Sequence, residues 1–283
     1  MNLVRNVRSA IFVDYQPLAN LIARAGHVHR HLDWRNVLDW IGVPPFLVLE
    51  ENGELRAALA CPPDPPQVAW LRLYVNNGLL SDREVWPLLW ETACSQLPDS
   101  PGMVAAAILQ RDWLVPYLEA NGFTTHQQIV MLACEYPQID SMPVPHSFTV
   151  RRMFPYDLPA VAEVDSRAFD FLWRNSLSSL ELAYRQAAIA TVAEAEQQLI
   201  GYQISTRTSI GIHLARLAVV PEAQGRGVGY ALVADMMKQA IQRGLQRFTV
   251  NTQNDNVGSL SLYKRFGFRE TGESYPVYRC CFS

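Results

Sequence analysis

The sequence predicts two mixed α/β domains in tandem. Three observations support this: strand and helix signals interleave, a proline-rich segment divides the chain near its middle, and two anchor motifs recur at one spacing. The C-terminal half begins with a strand at 148–152 and helices at 157–169 and 178–186, followed by strands at 189–194 and 198–206. A strong strand (212–219), a helix (227–243), a strand (247–252), a short helix (257–266) and a last strand near 277–282 complete it.

The dividing segment runs from Pro137 to Pro145, which sets the expected domains at 1–140 and 146–283. The anchors are WLRLYV (70–75) against LARLAV (214–219), and YLEANGF (117–123) against LYKRFGF (262–268). They lie 144 residues apart (70 to 214) and 145 apart (122 to 267), which points to an internal duplication. The segment HVHRHLDWRNVLDWIG (27–42) reads as an amphipathic helix carrying Trp34, Val37, Leu38 and Ile41. His27 and His31 lie four apart there, but no thiol or carboxylate pattern completes a metal site, so no metal is expected.

Composition narrows the partners. With 24 Lys plus Arg against 27 Asp plus Glu the net charge is -3, which offers no broad cationic surface for nucleic acid or anionic lipid. The five cysteines (Cys61, Cys94, Cys134, Cys280, Cys281) contain no CxxC pair and read as free thiols in a reducing compartment. The apolar run Ala10–Val13 is too brief for a signal-peptide core, and no stretch reaches the length of a membrane span. A cytoplasmic chain, monomeric or weakly dimeric, is expected.

The strongest chemical signal is QGRGVG, Gln224–Gly229, between the strand ending at Val219 and the following helix. A diphosphate needs several N–H donors converging without side chains in the way, and glycines followed by a helix start provide them. Arg226 adds a cation there. The pattern is neither the dinucleotide GxGxxG nor a P-loop, because no Gly-Lys-Ser/Thr follows.

LARLAVVPEAQGRGVGYALV followed by NDNVGSLSLYKRFGF resembles the GNAT family of N-acetyltransferases, with Gln224, Gly227, Gly229, Asn256, Tyr263, Gly267 and Phe268 matching its signature in order. The layout is similar to tandem members such as mycothiol synthase, and the C-terminal half also resembles bacterial N-terminal protein acetyltransferases. The resemblance implies a GNAT fold in each half and acetyl-CoA as co-substrate. It implies that the diphosphate lies on Gln224, Gly225, Arg226, Gly227, Val228 and Gly229. The pantetheine arm is implied to pair with the strand edge at Leu217, Ala218 and Val219, with Asn256 and Tyr263 also at the cofactor. Asn256 would equally serve as an N-cap for the helix that follows.

An alkylamine with a reference pKa near 10.4 must lose a proton before it attacks a thioester, and the departing thiolate benefits from an acid. By the resemblance Tyr263 is the acid beside the sulfur; an aromatic packing its helix on the sheet is the other reading. Family members carry Glu where this chain has His213, or on the next strand where Asn251 stands. His213 can accept a proton near neutral pH. A packing histidine and a water relay remain alternatives. Strand alternation puts His213 on the face of Ala215 and Leu217. Asp165, Phe169, Phe171 and Trp173 fall in the region that forms the acceptor wall in this family, and Phe171 and Trp173 are the candidate substrate residues; ordinary core packing between helix and sheet is the other reading for Phe169 and Trp173.

The N-terminal half lacks these features. Asp82 and Glu84 stand where a diphosphate would sit, Leu118 replaces Tyr263 and Ala69 replaces His213. It reads as a degenerate, non-catalytic copy. The expected function is acetyl transfer to a primary amine of a small molecule or a protein N-terminus. The rival reading is a CoA-binding regulatory or scaffold protein that has lost catalysis.

Overall fold

The computed structural model describes residues 5–137, 139 and 147–282. Apart from Pro137 and Ile139, the expected linker at 137–145 lies outside the described residues. The first elements are β1 (Arg5–Ser9), α1 (Tyr15–Arg24), β2 (His27–Arg30), β3 (Phe46–Glu51), β4 (Glu54–Ala60), β5 (Val68–Trp70), β6 (Leu73–Asn76), α2 (Asp82–Gln96), β7 (Val104–Ile108), α3 (Val115–Ala120) and β8 (Thr124–Cys134). There follow β9 (Thr149–Arg152), α4 (Leu158–Ala168), α5 (Leu177–Arg185), β10 (Ile189–Ala195), β11 (Gln198–Arg207), β12 (Ile212–Val219), α6 (Val228–Gln242), β13 (Phe248–Gln253), α7 (Val257–Arg265) and β14 (Arg269–Cys281). Among the described residues no helix is long and apolar enough to cross a membrane.

Contacts divide the chain into Met1–His126 with Tyr275–Ser283, and Gln127–Ser274. These packing units change over inside β8 and again inside β14, because packing follows strand pairing and a strand can leave the unit in which it began.

The first unit holds a sheet ordered β1-β3-β4-β6-β2, with β5 paired parallel to β7. Strand β3 reads FLVLEE, apolar without alternation, because both its faces are covered. Phe46 and Val48 pack with Leu18, Leu21 and Ile22 of α1. Leu47 and Leu49 pack with Val85, Trp86, Leu89 and Trp90 of α2.

The second unit orders its strands β8-β13-β12-β11-β10-β9, with β12 and β13 parallel and the other pairs antiparallel. Helix α6 covers one face and buries Val233, Met236, Met237 and Ala240 against Leu214, Phe248 and Val250. Truncating Met237 to Ala there would cost about 2–5 kcal/mol.

The duplication is visible bond by bond. Arg8 donates to Asp14 and Glu50 while the Ile11 N–H donates to the same aspartate; Arg151 donates to Asp157 and Glu194 while the Phe154 N–H does likewise. In the parallel pairs, Val68, Ala69 and Trp70 face Val104, Ala105 and Ala106, just as Ile212, His213 and Leu214 face Phe248, Thr249 and Val250. The helix ends match too. Phe123 N–H returns to Leu118 O around Gly122 (φ +79), and Phe268 N–H returns to Tyr263 O around Gly267 (φ +86).

Two expectations are corrected. Residues 27–42 are not a helix: His27–Arg30 form β2 on the edge of β6, and only Val37–Trp40 make a short 3-10 turn. The open edge of β6 outweighs helical periodicity, and Asn36 starts the turn by accepting from Leu38 N–H. The two histidines then separate, His27 stacking on Trp113 and His31 on Trp70. The last strand runs the whole of Arg269–Cys281 rather than 277–282, because its exposed polar residues still pair through the backbone.

Candidate functional site

The site is built on a parting of strands. Strands β12 and β13 pair through Ile212, His213 and Leu214, and the ladder stops at Leu214–Val250. Beyond that point, among the described residues, Leu217, Ala218 and Val219 pair only with Gln203, Tyr202 and Gly201 of β11, so their other edge presents backbone groups to the opening. Gly201 is needed beside them, because a Cβ at that position would lie 2.9 Å from Ala218 O.

The turn at the head of α6 follows. Gly225 (φ +72) and Gly227 (φ +84) occupy the left-handed region, and a Cβ on Gly225 would meet nothing within 4 Å. Gly227 is the N-cap and supplies no side-chain cap, which leaves the first-turn amides of α6 without intrahelical acceptors. Gly229 serves packing instead: a Cβ would lie 3.3 Å from Leu262 of α7. Gln224 ties the turn back by donating Nε2 to Val219 O at 3.0 Å, and Arg226 is exposed. Strand edge, left-handed turn and uncapped helix start together suit a ligand with an extended amide arm and a diphosphate.

A bulge re-aims β12. Register shifts between Ile204–Arg216 and Ser205–Leu214, which makes Ala215 an extra residue. His213 therefore shares a face with Arg216, not with Leu217, and the alternation expected through Ala215 is broken. Leu214 and Leu217 both turn toward the α6 core.

On the other face His213 is half-buried, its Nδ1 2.9 Å from Thr249 Oγ1. Burial pushes its pKa below the usual value, and a hydrogen bond with the Asn251 side chain opposes this only in part. The imidazole is neutral at pH 7.

Next to it lies a cluster centred on Asp165, whose partners Arg216 and Tyr202 the sequence did not single out. Asp165, wholly buried on α4, accepts from Arg216 Nε at 2.8 Å, Tyr202 Oη at 2.5 Å and Asn175 N–H at 2.8 Å. Burial, the largest single influence, works against the Arg216 charge, but Asp165 and Tyr202 together outweigh it and raise the guanidinium pKa. Burial, with Asp165 beside it, raises the Tyr202 phenol. Arg216 also covers the Phe169 ring at 3.6 Å and donates to Trp173 O at 2.6 Å. The available signal was a charge inside an otherwise apolar strand, Arg216 in LARLAV; Asp165 stands beside Glu163 and Arg167 in VAEVDSRAF and carries no such signal.

Phe171 and Trp173 are half-buried around buried Leu172, and Trp173 Nε1 donates to Gln127 Oε1 at 3.0 Å. Asn256 caps α7, its Oδ1 accepting from Ser259 N–H at 3.1 Å. Tyr263 is buried, tilted against Phe268 with centroids 5.7 Å apart. Burial raises its phenol well above the usual value, and a hydrogen bond with Ser259 pulls the other way.

The Acetyltransferase (GNAT) family model matches residues 158–268, a span running from α4 through the turn to Phe268. An uncharacterized N-acetyltransferase of Escherichia coli K12, YjhQ, is 32% identical over 144 residues, 47% of this chain and 76% of that protein. The chain belongs to the GNAT acetyltransferase family. It has the tandem layout of that family. A mycothiol acetyltransferase of Saccharomonospora viridis is 27% identical over 156 residues, 48% of this chain and 50% of that protein, so the match spans about half the relative's length. A tandem GNAT protein from the clavulanic acid biosynthesis pathway has a similar fold, with TM-score 0.66, 14% identity and 99% and 98% of the two chains covered.

Proposed function

We propose that the chain acetylates a primary amine, using acetyl-CoA bound by the second unit, and that 1–140 is a non-catalytic copy of the domain at 146–283. The observation that carries this is the uncapped start of α6 behind two left-handed glycines, set beside the unpaired edge Leu217–Val219. In this reading Gln224–Gly229 surround the diphosphate, the strand edge pairs with the pantetheine amides, and Asn256 fixes the start of α7 beside them.

Acetyl-CoA, when bound, supplies an activated thioester. His213 takes the proton from the incoming ammonium: its neutral ring keeps one lone-pair nitrogen, which exchanges its hydrogen bond with Thr249 or Asn251 for the amine proton. Tyr263 keeps its proton at neutral pH because burial raises its pKa, and it offers that proton to the departing sulfur. With the phenol above a thiol's ordinary value of about 8.5, hydrogen-bond donation to the developing thiolate is its contribution, and the released thiolate takes its proton from solvent. Phe171 and Trp173 wall the acceptor side. The acceptor is a small-molecule amine or a peptide N-terminus, met in the cytoplasm.

Thiol release from acetyl-CoA across a panel of small amines and peptides tests the reading. Amine-dependent release that depends on Tyr263 and His213 is expected. Tight CoA binding without release on any amine favours the silent regulatory protein.

A further inference from the structure

The two units treat the same strand edge in opposite ways. In the second unit Leu217–Val219 have no strand partner on the β13 side among the described residues. At the residues 144 positions earlier, Leu73, Tyr74 and Val75, that edge is occupied by the chain itself: β2 pairs Arg30 with Leu73, His29 with Tyr74 and Val28 with Val75. The strand is pinned at both ends. His29 Nε2 lies 2.9 Å from Leu71 O in the interior, and His31 N–H donates to Arg72 O. His27 stacks on Trp113 at 4.9 Å, beyond the end of β7.

The helix start is filled as well. Ser81 caps α2 by accepting from Arg83 N–H, where the equivalent position in the second unit is a bare glycine turn. Asp82 accepts from Tyr74 Oη and from Asn76 Nδ2, each at 2.8 Å. Between β2 and residues 110–114 there remains a cleft of about 40 Å³ lined by Arg30, Gln110, Arg111 and Trp113. That is far below the volume of a small-molecule site.

We propose that the first unit is self-liganded: β2 occupies the edge along which a pantetheine arm would run, and Ser81 with Asp82 occupy the diphosphate end. The chain therefore holds one acyl-CoA site, and restoring a permissive turn at 81–84 does not create a second. The proposal rests on the acetyl-CoA reading of the second unit.

Hydrogen exchange followed by mass spectrometry, on the full chain with and without CoA, tests it. Amides of Leu73–Asn76 are expected to exchange slowly without CoA and to be unchanged by it, while amides at 216–219 and 225–230 gain protection. Fast exchange at Leu73–Asn76 in the free chain overturns the proposal whatever CoA does, and so does protection there that appears only with CoA. If Leu73–Asn76 are slow and nothing changes at 216–230, self-pairing by β2 stands and the acetyl-CoA reading fails. Calorimetry of the Ser81→Gly/Asp82→Asn/Glu84→Gln variant is expected to give one CoA per chain, and two overturns the proposal.

Discussion

Half-buried Arg216 and wholly buried Asp165 form an ion pair, Nε to Oδ2 at 2.8 Å, on the face of β12 opposite α6. The bulge at Ala215 brings Arg216 to this face, and the pair fastens the strand to α4 and, through Trp173 O, to the turn that follows that helix. A charge in such a place is tolerated because each partner is satisfied. Removing either leaves the other uncompensated in the interior.

Asp165→Ala is accordingly expected to destabilise the chain by about 3–5 kcal/mol, and Arg216→Ala similarly. The double variant Asp165→Leu/Arg216→Met should lose far less than the sum, because no charge is stranded. Urea denaturation midpoints measure all three, and strict additivity would contradict the pairing.

The pH dependence of kcat/KM should report His213. Burial lowers its pKa below 6.5, so the free enzyme retains its base at pH 7 and loses it only as pH falls below that value. The same shift carries a stability consequence. A histidine whose folded pKa is depressed contributes fully above 6.5, and its contribution falls as pH drops toward the folded value. His213→Gln should lower kcat by about 10²–10⁴-fold and abolish the acidic limb. An unchanged limb in that variant assigns the base elsewhere.

Tyr263→Phe removes only a hydroxyl from a buried ring, so the fold and CoA affinity should hold, the latter within about twofold. Acetyl transfer should fall by about 10²–10⁴-fold. A packing role alone would leave turnover intact, and steady-state rates beside a CoA binding curve distinguish the two.

How much of this was legible in the sequence depends on whether the cause was local. The turn at Gln224–Gly229 and the cap at Asn256 were readable because glycine dihedrals and Asn capping act within a few residues. The edges of β10 to β13 were readable because period-two apolar patterns meet a buried sheet. Strand β2 was not. HVHR has no strong strand signature of its own and becomes a strand because β6, forty residues later, offers an edge. The bulge at Ala215 is equally silent, since LARLAV alternates well on paper, and the face of His213 could not be read through it. The Arg216–Asp165 pair joins a strand to a helix 51 residues away, a distance over which composition carries no pairing information.

The most direct test of the central claim is a calorimetric titration of the chain with CoA, run beside Gly227→Val. At φ +84 a β-branched residue is strained by at least about 1–2 kcal/mol, and the turn must leave its geometry. One CoA per chain, bound at least about tenfold more weakly by the variant, is the predicted result. No binding heat from the wild type, or equal affinity in both proteins, would contradict the account.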